Sequence, residues 1–199
     1  MMELTAGIGE TVGAEAPEAL LLARAKSGDL DAFEQIVRLY ERRIFGLALR
    51  LTDSVEDAKD VMQETFLRMH RKLSQVDADR SLGPWLLAVA ANASRDLGRV
   101  RKRSRLVAME DGAARDTADP GANPETVASG RERERQLRAG LMTLPEKERA
   151  ALLLREMEGL STEEVAGILG SSPVTVRSQI STARVKLRKF LALGRKEAR

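Results

Sequence analysis

Apolar residues recur every three or four positions along most of the chain, which is the period of helices that bury one face. The first stripe runs from Phe33 to Leu51, the second from Ala58 to Leu73 and the third from Trp85 to Leu97. The strict alternation of apolar and polar residues that marks a half-buried strand is scarce in the sequence. The pattern therefore predicts an all-α protein.

Serine and proline residues mark several predicted helix starts. Ser54 with Asp57 has the spacing of a capping box, in which each side chain bonds a free amide of the first turn. Pro84 and Pro145 suit the start of two further helices, because proline lacks the amide that this position leaves unpaired. Residues 107–123 hold almost no large apolar side chain, so we expect an acidic, flexible linker there.

Two helices near the C-terminal end have the spacing of a helix-turn-helix. Ser161 and Glu164 cap the first, Gly170 permits the turn, and Ser172 with Pro173 starts the second. The outward face of the second helix carries short polar groups and guanidinium groups that suit a major groove. The candidates for base or phosphate contact are Ser172, Pro173, Val174, Thr175, Arg177, Ser178, Gln179, Ser181, Thr182 and Arg184. Gln179 lies nearer the buried flank, and an amphipathic helix with a solvated polar face is the alternative interpretation.

Composition excludes several kinds of site. The 199 residues include no cysteine and one histidine, so a disulfide scaffold and a Cys/His zinc site are excluded. No apolar run approaches the roughly 20 residues that span a bilayer, so we expect no membrane insertion, no cofactor and a cytoplasmic location.

Charge is unevenly distributed along the chain. The net charge is +3, yet residues 1–19 and 107–127 carry −4 each, which leaves +11 on the remainder. We expect residues 1–19 to be a disordered acidic tail. Two basic segments separated by acidic ones are typical of modules that bind polyanions.

Acidic residues cluster on the second predicted helix. Asp60 and Glu64 lie opposite Met62 and Phe66, together with an exposed Leu67 and with Gln63 at the margin. By pattern alone, a protein-docking surface and an ordinary solvated face are both open.

A basic run follows the third helix. Residues 95–105 carry six cations against Asp96, a density that suits phosphate contact, and the alternative is a helix end favoured by the helix dipole.

These features together resemble an extracytoplasmic-function (ECF) sigma factor of bacterial RNA polymerase. The segments that carry the resemblance are DAFEQIVRLYERRIFGLALRLTDSVEDAKDVMQETFLRMHRKL, PWLLAVAANASRDLGRVRKR and LPEKERAALLLREMEGLSTEEVAGILGSSPVTVRSQISTARVKLRK. The first two are similar to sigma region 2 and the third to region 4. Ala91, Gln179 and Thr182 depart from the family, which often has basic residues at these positions.

The resemblance implies roles for the residues that match. It assigns docking on core RNA polymerase to Asp57, Asp60, Gln63, Glu64 and Leu67. It assigns melting of the minus-ten element and capture of its nontemplate strand to Trp85, Asn92, Arg95, Asp96, Arg99, Arg101, Lys102 and Arg103. It assigns reading of the duplex minus-thirty-five element to the helix that starts at Pro173, and it implies an anti-sigma factor as a further partner.

The predicted organisation is therefore two small helical domains. Residues 20–106 correspond to region 2, 107–123 to the linker and 124–194 to region 4. Three rivals stay open: a helix-turn-helix regulator that acts without polymerase, an enzyme that uses the carboxylates between Asp57 and Glu64, and a sigma-like protein that binds polymerase but does not initiate.

Overall fold

The computed structural model describes the backbone of residues 15–77, 81–110 and 128–197, and the side chains of 18–77, 81–101 and 132–194. All regular structure in these ranges is helical, as the sequence predicts. The α-helices are α1 Glu15–Lys26, α2 Leu30–Thr52, α3 Val55–Lys72, α4 Leu82–Glu110, α5 Ala128–Met142, α6 Glu146–Glu156, α7 Thr162–Leu169 and α8 Pro173–Glu197, with a short 3-10 helix at Leu73–Gln75.

The first module consists of α1–α4, with α2 at its centre and packed against the other three helices. The buried face of α2 carries Ile36, Ile44 and Leu47, and α4 contributes Leu86 and Leu87 to the same core. This core forms because each helix presents an apolar stripe at the helical period.

The buried stripe of α3 is rotated from the predicted one. The sequence favours Met62 and Phe66 because they are large, but they are only half-buried, and the core positions are Ala58, Val61, Thr65 and Met69. Thr65 is tolerated there because its hydroxyl donates to the Val61 carbonyl oxygen at 2.7 Å. The rotation also carries Asp57 to the inside.

Two predicted boundaries are corrected. Helix α1 begins at Glu15, so residues 15–19 belong to the first module rather than to the tail. Glu18 accepts hydrogen bonds from the Tyr40 hydroxyl and from the backbone amide of Leu82, the latter at 2.6 Å. This carboxylate therefore ties α1 to the start of α4, which lies at Leu82 rather than Pro84.

Helix α4 also extends further than predicted. It reaches Glu110, so residues 107–110, which the sequence assigns to the linker, are helical. The helix start predicted at Asn123 and Pro124 lies outside the described residues.

The second module consists of α5–α8, and α8 packs against the other three helices. Ser161 and Glu164 form the predicted capping box, in which the Ser161 amide donates to Glu164 Oε2 at 2.7 Å. Gly170 ends α7 with a φ of 59°, a conformation that favours glycine. Ser172 then accepts from the Thr175 amide at 3.1 Å, so the helix-turn-helix has its predicted caps.

The two modules contact each other through α2 and α4 on one side and α5, α6 and α7 on the other. Arg43 bridges to Glu158 at 2.7 Å and also donates to the Glu158 carbonyl oxygen at 2.9 Å. Arg138 pairs with the Asp53 carboxylate and donates to its carbonyl oxygen at 2.8 Å. Polar contacts thus border the interface on both sides.

In the described ranges, no helix is long and apolar enough to cross a membrane. The same residues contain no group of three or more His, Cys, Asp or Glu side chains that would hold a metal ion.

Candidate functional site

Three exposed surfaces carry most of the predicted site residues. The first, here called the docking face, consists of Asp60, Gln63, Glu64 and Leu67 on α3. Leu67 is 42% exposed, while Glu64 is half-buried and pairs with Arg68 at 2.6 Å. The face therefore presents an accessible apolar side chain between acidic and amide groups.

Asp57 does not lie on the docking face, although the sequence grouped it there. Its side chain is 5% exposed and pairs with Arg101 of α4. Burial raises the pKa of Asp57 above its ordinary value, while the Arg101 guanidinium acts in the opposite direction. The residue faces inward because it lies on the same side of α3 as Ala58 and Val61.

The second surface, here called the arginine strip, consists of Asn92, Arg95, Asp96, Arg99 and Arg101 along α4. Arg95 donates through Nη2 to Asn92 Oδ1, and its Nε is buried without an acceptor among the described residues. Arg99 lies 3.9 Å from Asp96, and both are exposed. The strip thus combines an amide, cations and one acid along consecutive turns.

The remaining residues predicted for this surface lie near the two ends of α4. Trp85 is half-buried and packs against the core of the first module, close to the helix start. Lys102 and Arg103 lie on α4, but their side chains are outside the described residues.

The third surface, here called the recognition face, is the outer side of α8. Val174 is 67% exposed, whereas Val176, Ile180 and Ala183 on the opposite side are buried. The exposed residues are Ser172, Val174, Thr175, Arg177, Ser178, Ser181, Thr182 and Arg184. Pro173 and Gln179 are half-buried, and Gln179 Oε1 has no hydrogen-bond partner in the described part of the chain.

The two described arginines of the recognition face differ in their contacts. Arg184 pairs with Glu156 of α6 at 2.5 Å, which fixes its guanidinium near the scaffold. Arg177 is exposed, and no described residue forms an ion pair with it. Arg177 is therefore the guanidinium that is most available to a base edge.

Sequence reasoning missed the residues that join the modules. Arg43 and Glu158 are 115 positions apart, and Asp53 and Arg138 are 85 apart. No local pattern links them, since each is an ordinary charged residue, and Arg43 even lies in the middle of α2. Only the fold brings these partners together.

Comparison with known proteins finds similarity in both modules. Residues 36–106 match the family described as Sigma-70 region 2, and residues 134–187 match Sigma-70, region 4. The ECF RNA polymerase sigma factor SigE of Mycolicibacterium smegmatis is 35% identical over 87% of this chain and 67% of its own length. The RNA polymerase sigma-H factor of Pseudomonas aeruginosa is 33% identical over 86% of this chain and 92% of its own.

A solved structure is also similar. It is the sigma factor RpoE in complex with the anti-sigma factor NepR from Bartonella quintana, with a TM-score of 0.64 and 25% sequence identity. The similarity covers 80% of this chain and 96% of that one.

Proposed function

Since the chain belongs to the ECF sigma factors of the sigma-70 family, which direct core RNA polymerase to promoters, we propose a division of labour between its modules. The first module docks on polymerase and opens DNA, and the second module holds the upstream element as duplex. Residues 15–110 form the first unit and residues 128–197 the second.

The docking face of α3 is the surface we propose for core polymerase. Leu67 supplies an exposed apolar anchor, and Asp60, Gln63 and Glu64 surround it with polar groups. An apolar centre with a polar border is the usual composition of a protein interface. Asp57 acts here as a positioning residue, because its buried carboxylate holds Arg101.

The arginine strip is the surface we propose for the minus-ten element. Asn92 has the hydrogen-bonding groups to recognise a base edge, and Arg95, Arg99 and Arg101 suit the backbone of a separated strand. Capture of an unstacked nontemplate base repays part of the free energy of melting. Lys102 and Arg103 extend the cationic run, while Trp85 supports the start of α4.

The recognition face is the surface we propose for the minus-thirty-five element. Its polar side chains are short enough to let α8 approach the bases, and Arg177 is the candidate for a bidentate contact with guanine. Ser172 and Thr175 lie near the N-terminal end of α8, which suits a phosphate. Gln179, being half-buried, makes at most an edge contact.

One observation carries this proposal. The recognition face lies on a different module from the docking face and the arginine strip, so one chain presents separate surfaces for duplex DNA, a separated strand and a protein. A simple duplex-binding regulator needs only the first of these. The open faces therefore favour a sigma factor over that rival.

Sigma factors are not enzymes, and we propose that this chain has no catalytic residue of its own. The carboxylates of α3 favour this interpretation over the enzyme rival, since Asp57 is engaged with Arg101 and the others face outward. We further propose an anti-sigma factor as a partner, as in the similar solved complex. We also propose that the protein works in the bacterial cytoplasm, where core polymerase and promoter DNA are found.

Transcription reconstituted with core polymerase and genomic promoter fragments tests the proposal. Wild-type protein is expected to initiate, and Leu67→Arg is expected to lose core binding at least tenfold while duplex binding by the second module persists. Leu39→Arg is the matched control, since it adds the same charge at an exposed leucine of the same module. Operator binding without any response to polymerase would instead support the regulator, and polymerase binding without initiation would support the sigma-like interaction protein.

A further inference from the structure

Helix α1 contacts both ends of the connection between α3 and α4. Its last residue, Lys26, donates to the Val76 carbonyl oxygen at 2.5 Å, directly after the 3-10 helix. Nearer its N-terminal end, the Glu18 carboxylate accepts from the amide of Leu82, the first residue of α4, at 2.6 Å. One helix therefore holds the two residues between which the chain passes from α3 to α4.

Glu18 acts as a cap for α4. The first amides of a helix have no acceptor within the helix, and the helix dipole favours a negative charge at this end. Caps usually come from the residue directly before the helix. Here a carboxylate of a different helix, 64 positions away in the sequence, supplies the acceptor for the Leu82 amide. The first turn of α4 is thus held by α1.

Tyr40 of α2 supports this cap. Its hydroxyl donates to the second oxygen of the Glu18 carboxylate. Burial raises the pKa of Tyr40 to about 12, and Glu18 acts in the same direction, so the hydroxyl keeps its proton near neutral pH. A side-chain carbon at Gly83 would lie 3.4 Å from Tyr40 Cε1, so the second residue of α4 lies directly against the ring. Tyr40 therefore contacts both the cap and the turn that it caps.

The capped turn carries Trp85, one of the residues expected at the minus-ten element. Trp85 is half-buried and packs against the core of the first module, so part of its ring stays accessible. The direction of this ring depends on residues 82–85 being helical. A first turn without its cap frays more readily, and Trp85 then loses its fixed position.

We propose that Glu18 is a positioning residue for capture of the separated strand, because it holds the first turn of α4, and Trp85 with it, in the arrangement that the strand meets. This inference rests on the proposed function, since the strand is the one that the arginine strip binds. The docking face lies on α3 and the recognition face on α8, so neither contains the capped turn. Loss of the cap is therefore expected to impair promoter opening and to spare binding of polymerase and of duplex DNA.

The fluorescence of Trp85 reports on the cap in the full-length protein, because the chain has no other tryptophan. Glu18→Ala removes the acceptor for the Leu82 amide and is expected to raise the rate constant of acrylamide quenching about twofold. Glu18→Gln keeps an oxygen that accepts from this amide and is expected to stay near the wild-type value. Glu34→Ala is the matched control, since it removes a glutamate that pairs with Arg38 at 2.6 Å on the exposed side of α2.

Promoter opening by the reconstituted holoenzyme is the second readout. Glu18→Ala is expected to slow formation of open complexes about fivefold at saturating promoter, a factor within the range that loss of a helix cap produces. Its affinities for core polymerase and for a duplex minus-thirty-five fragment are expected to stay within about twofold of the wild type. A general folding defect instead lowers core binding and opening together. Glu18→Gln is expected to recover most of the rate.

Tyr40→Phe tests the same contact with a smaller change, because it removes the hydroxyl that donates to Glu18 and keeps the ring against Gly83. It is expected to move quenching and opening in the same direction as Glu18→Ala, by a smaller factor. This variant decides the question if Glu18→Ala does not fold.

The outcomes separate the two proposals. A wild-type opening rate in Glu18→Ala overturns the positioning role, whether or not quenching changes. An equal slowing in Glu34→Ala, or a loss of core binding as large as the loss of opening, does so too. Failure of the wild-type protein to initiate on any promoter fragment contradicts the proposed function instead, and the quenching measurement does not depend on that result.

Discussion

Asp57 is a charged residue in the interior of the first module, and it connects two helices that the sequence treats separately. Its carboxylate is buried near the start of α3, where it forms an ion pair with Arg101, the last residue of the arginine strip. Burial of a charge is unfavourable unless it is paired, and removal of one partner leaves the other without compensation. The pair therefore contributes to the position of Arg101 more than to net stability.

The variant Asp57→Asn tests how burial of this carboxyl group affects the pH dependence of the free energy of unfolding. Burial raises the pKa of Asp57 in the folded chain above that in the unfolded chain, so between the two values the folded form holds more protons. The stability contributed by this group is complete below the unfolded pKa and declines as pH rises through the folded pKa. Asparagine lacks this decline, so the free energy of unfolding of the variant is expected to increase relative to that of the wild type as the pH rises above about 4.

Urea unfolding at a series of pH values measures this difference. Asp31→Asn, at an exposed position of α2 outside the acidic cluster of α3, is the matched substitution elsewhere in the module. A constant difference between Asp57→Asn and wild type across the series would contradict the effect of burial.

Arg177 is the residue at which promoter reading is best tested. Its guanidinium is exposed on the recognition face, so Arg177→Ala is expected to weaken duplex binding roughly tenfold or more and to relax preference at one base pair. Binding to a panel of single-base-pair variants of the minus-thirty-five element measures both effects. Lys186→Ala is the matched control, because Lys186 pairs with Glu148 at 2.8 Å and is expected to change affinity equally across the panel.

At the scale of elements, the capping residues at the ends of α7 and at the start of α8 fix the position of α8. The Ser161–Glu164 box begins α7, Gly170 ends it, and Ser172 begins α8 three positions after the last residue of α7. Each cap satisfies amides that a helix leaves unpaired. The orientation of α8 relative to α7 thus depends on a few capping hydrogen bonds in the turn between the two helices.

Ser161→Ala is expected to lower the free energy of unfolding by about 1 kcal/mol at neutral pH, because it removes one half of the box. The bonds from Ser161 lower the pKa of Glu164, so stability from that carboxylate is present above its unfolded pKa and is lost as pH falls through the folded pKa. Because Ser161→Ala keeps the backbone amide that bonds this carboxylate, the matched variant for pH is Glu164→Gln, whose deficit is expected to shrink in acid. Chemical unfolding at pH 7 and below pH 4 measures it, and a deficit that is independent of pH would contradict the role of Glu164.

Local sequence signals predicted the elements well where the cause is local. The caps at Ser54, Ser161 and Ser172 were confirmed, since a hydroxyl acts within the first turn of its helix. The start of α4 depends on Glu18, which lies 64 positions away, and no local pattern contains that contact.

Predictions of the functional surfaces follow the same division. Most residues predicted for the outward faces of α3 and α8 are exposed, while Asp57 is buried and Glu64, Pro173 and Gln179 are half-buried. A helical wheel fixes which residues lie together but not which flank meets a neighbour. Because α3 packs against both α2 and α4, the side of α3 that carries Val61 and Thr65 is the buried one. Contact between the modules depends on tertiary structure alone.

At the scale of the whole molecule, the helices of each module pack mainly with one another, and ion pairs such as Arg43–Glu158 join the two modules. Leu154 is fully buried among the helices of the second module, and Ile36 is fully buried in the first. Such an arrangement favours two cooperative units rather than one, because the modules contribute most of their stability independently.

Leu154→Ala is expected to cost about 2–5 kcal/mol in the second module and little in the first. Loss of helicity in urea is then expected to occur in two steps. The step in which the second module unfolds shifts to lower urea concentration in the variant, and the step in which the first module unfolds does not shift. Ile36→Ala, placed in the other core, is expected to move the opposite step. A single transition that shifts as a whole in both variants would mean that the modules unfold together.

Gly140 marks a close contact between the first and the last helix of the second module. A side-chain carbon at this position of α5 would lie 2.7 Å from Leu187 Cδ1 and 2.9 Å from Phe190 Cδ1, so a larger residue there requires these two side chains of α8 to shift. Because α8 follows α5–α7 in the chain, its part of this contact leaves the ribosome after theirs. During synthesis the first module has all its helices while the second still lacks the one that completes its core. All helices of the first module are thus available to pack before α8 can bury its side of the contact with α5.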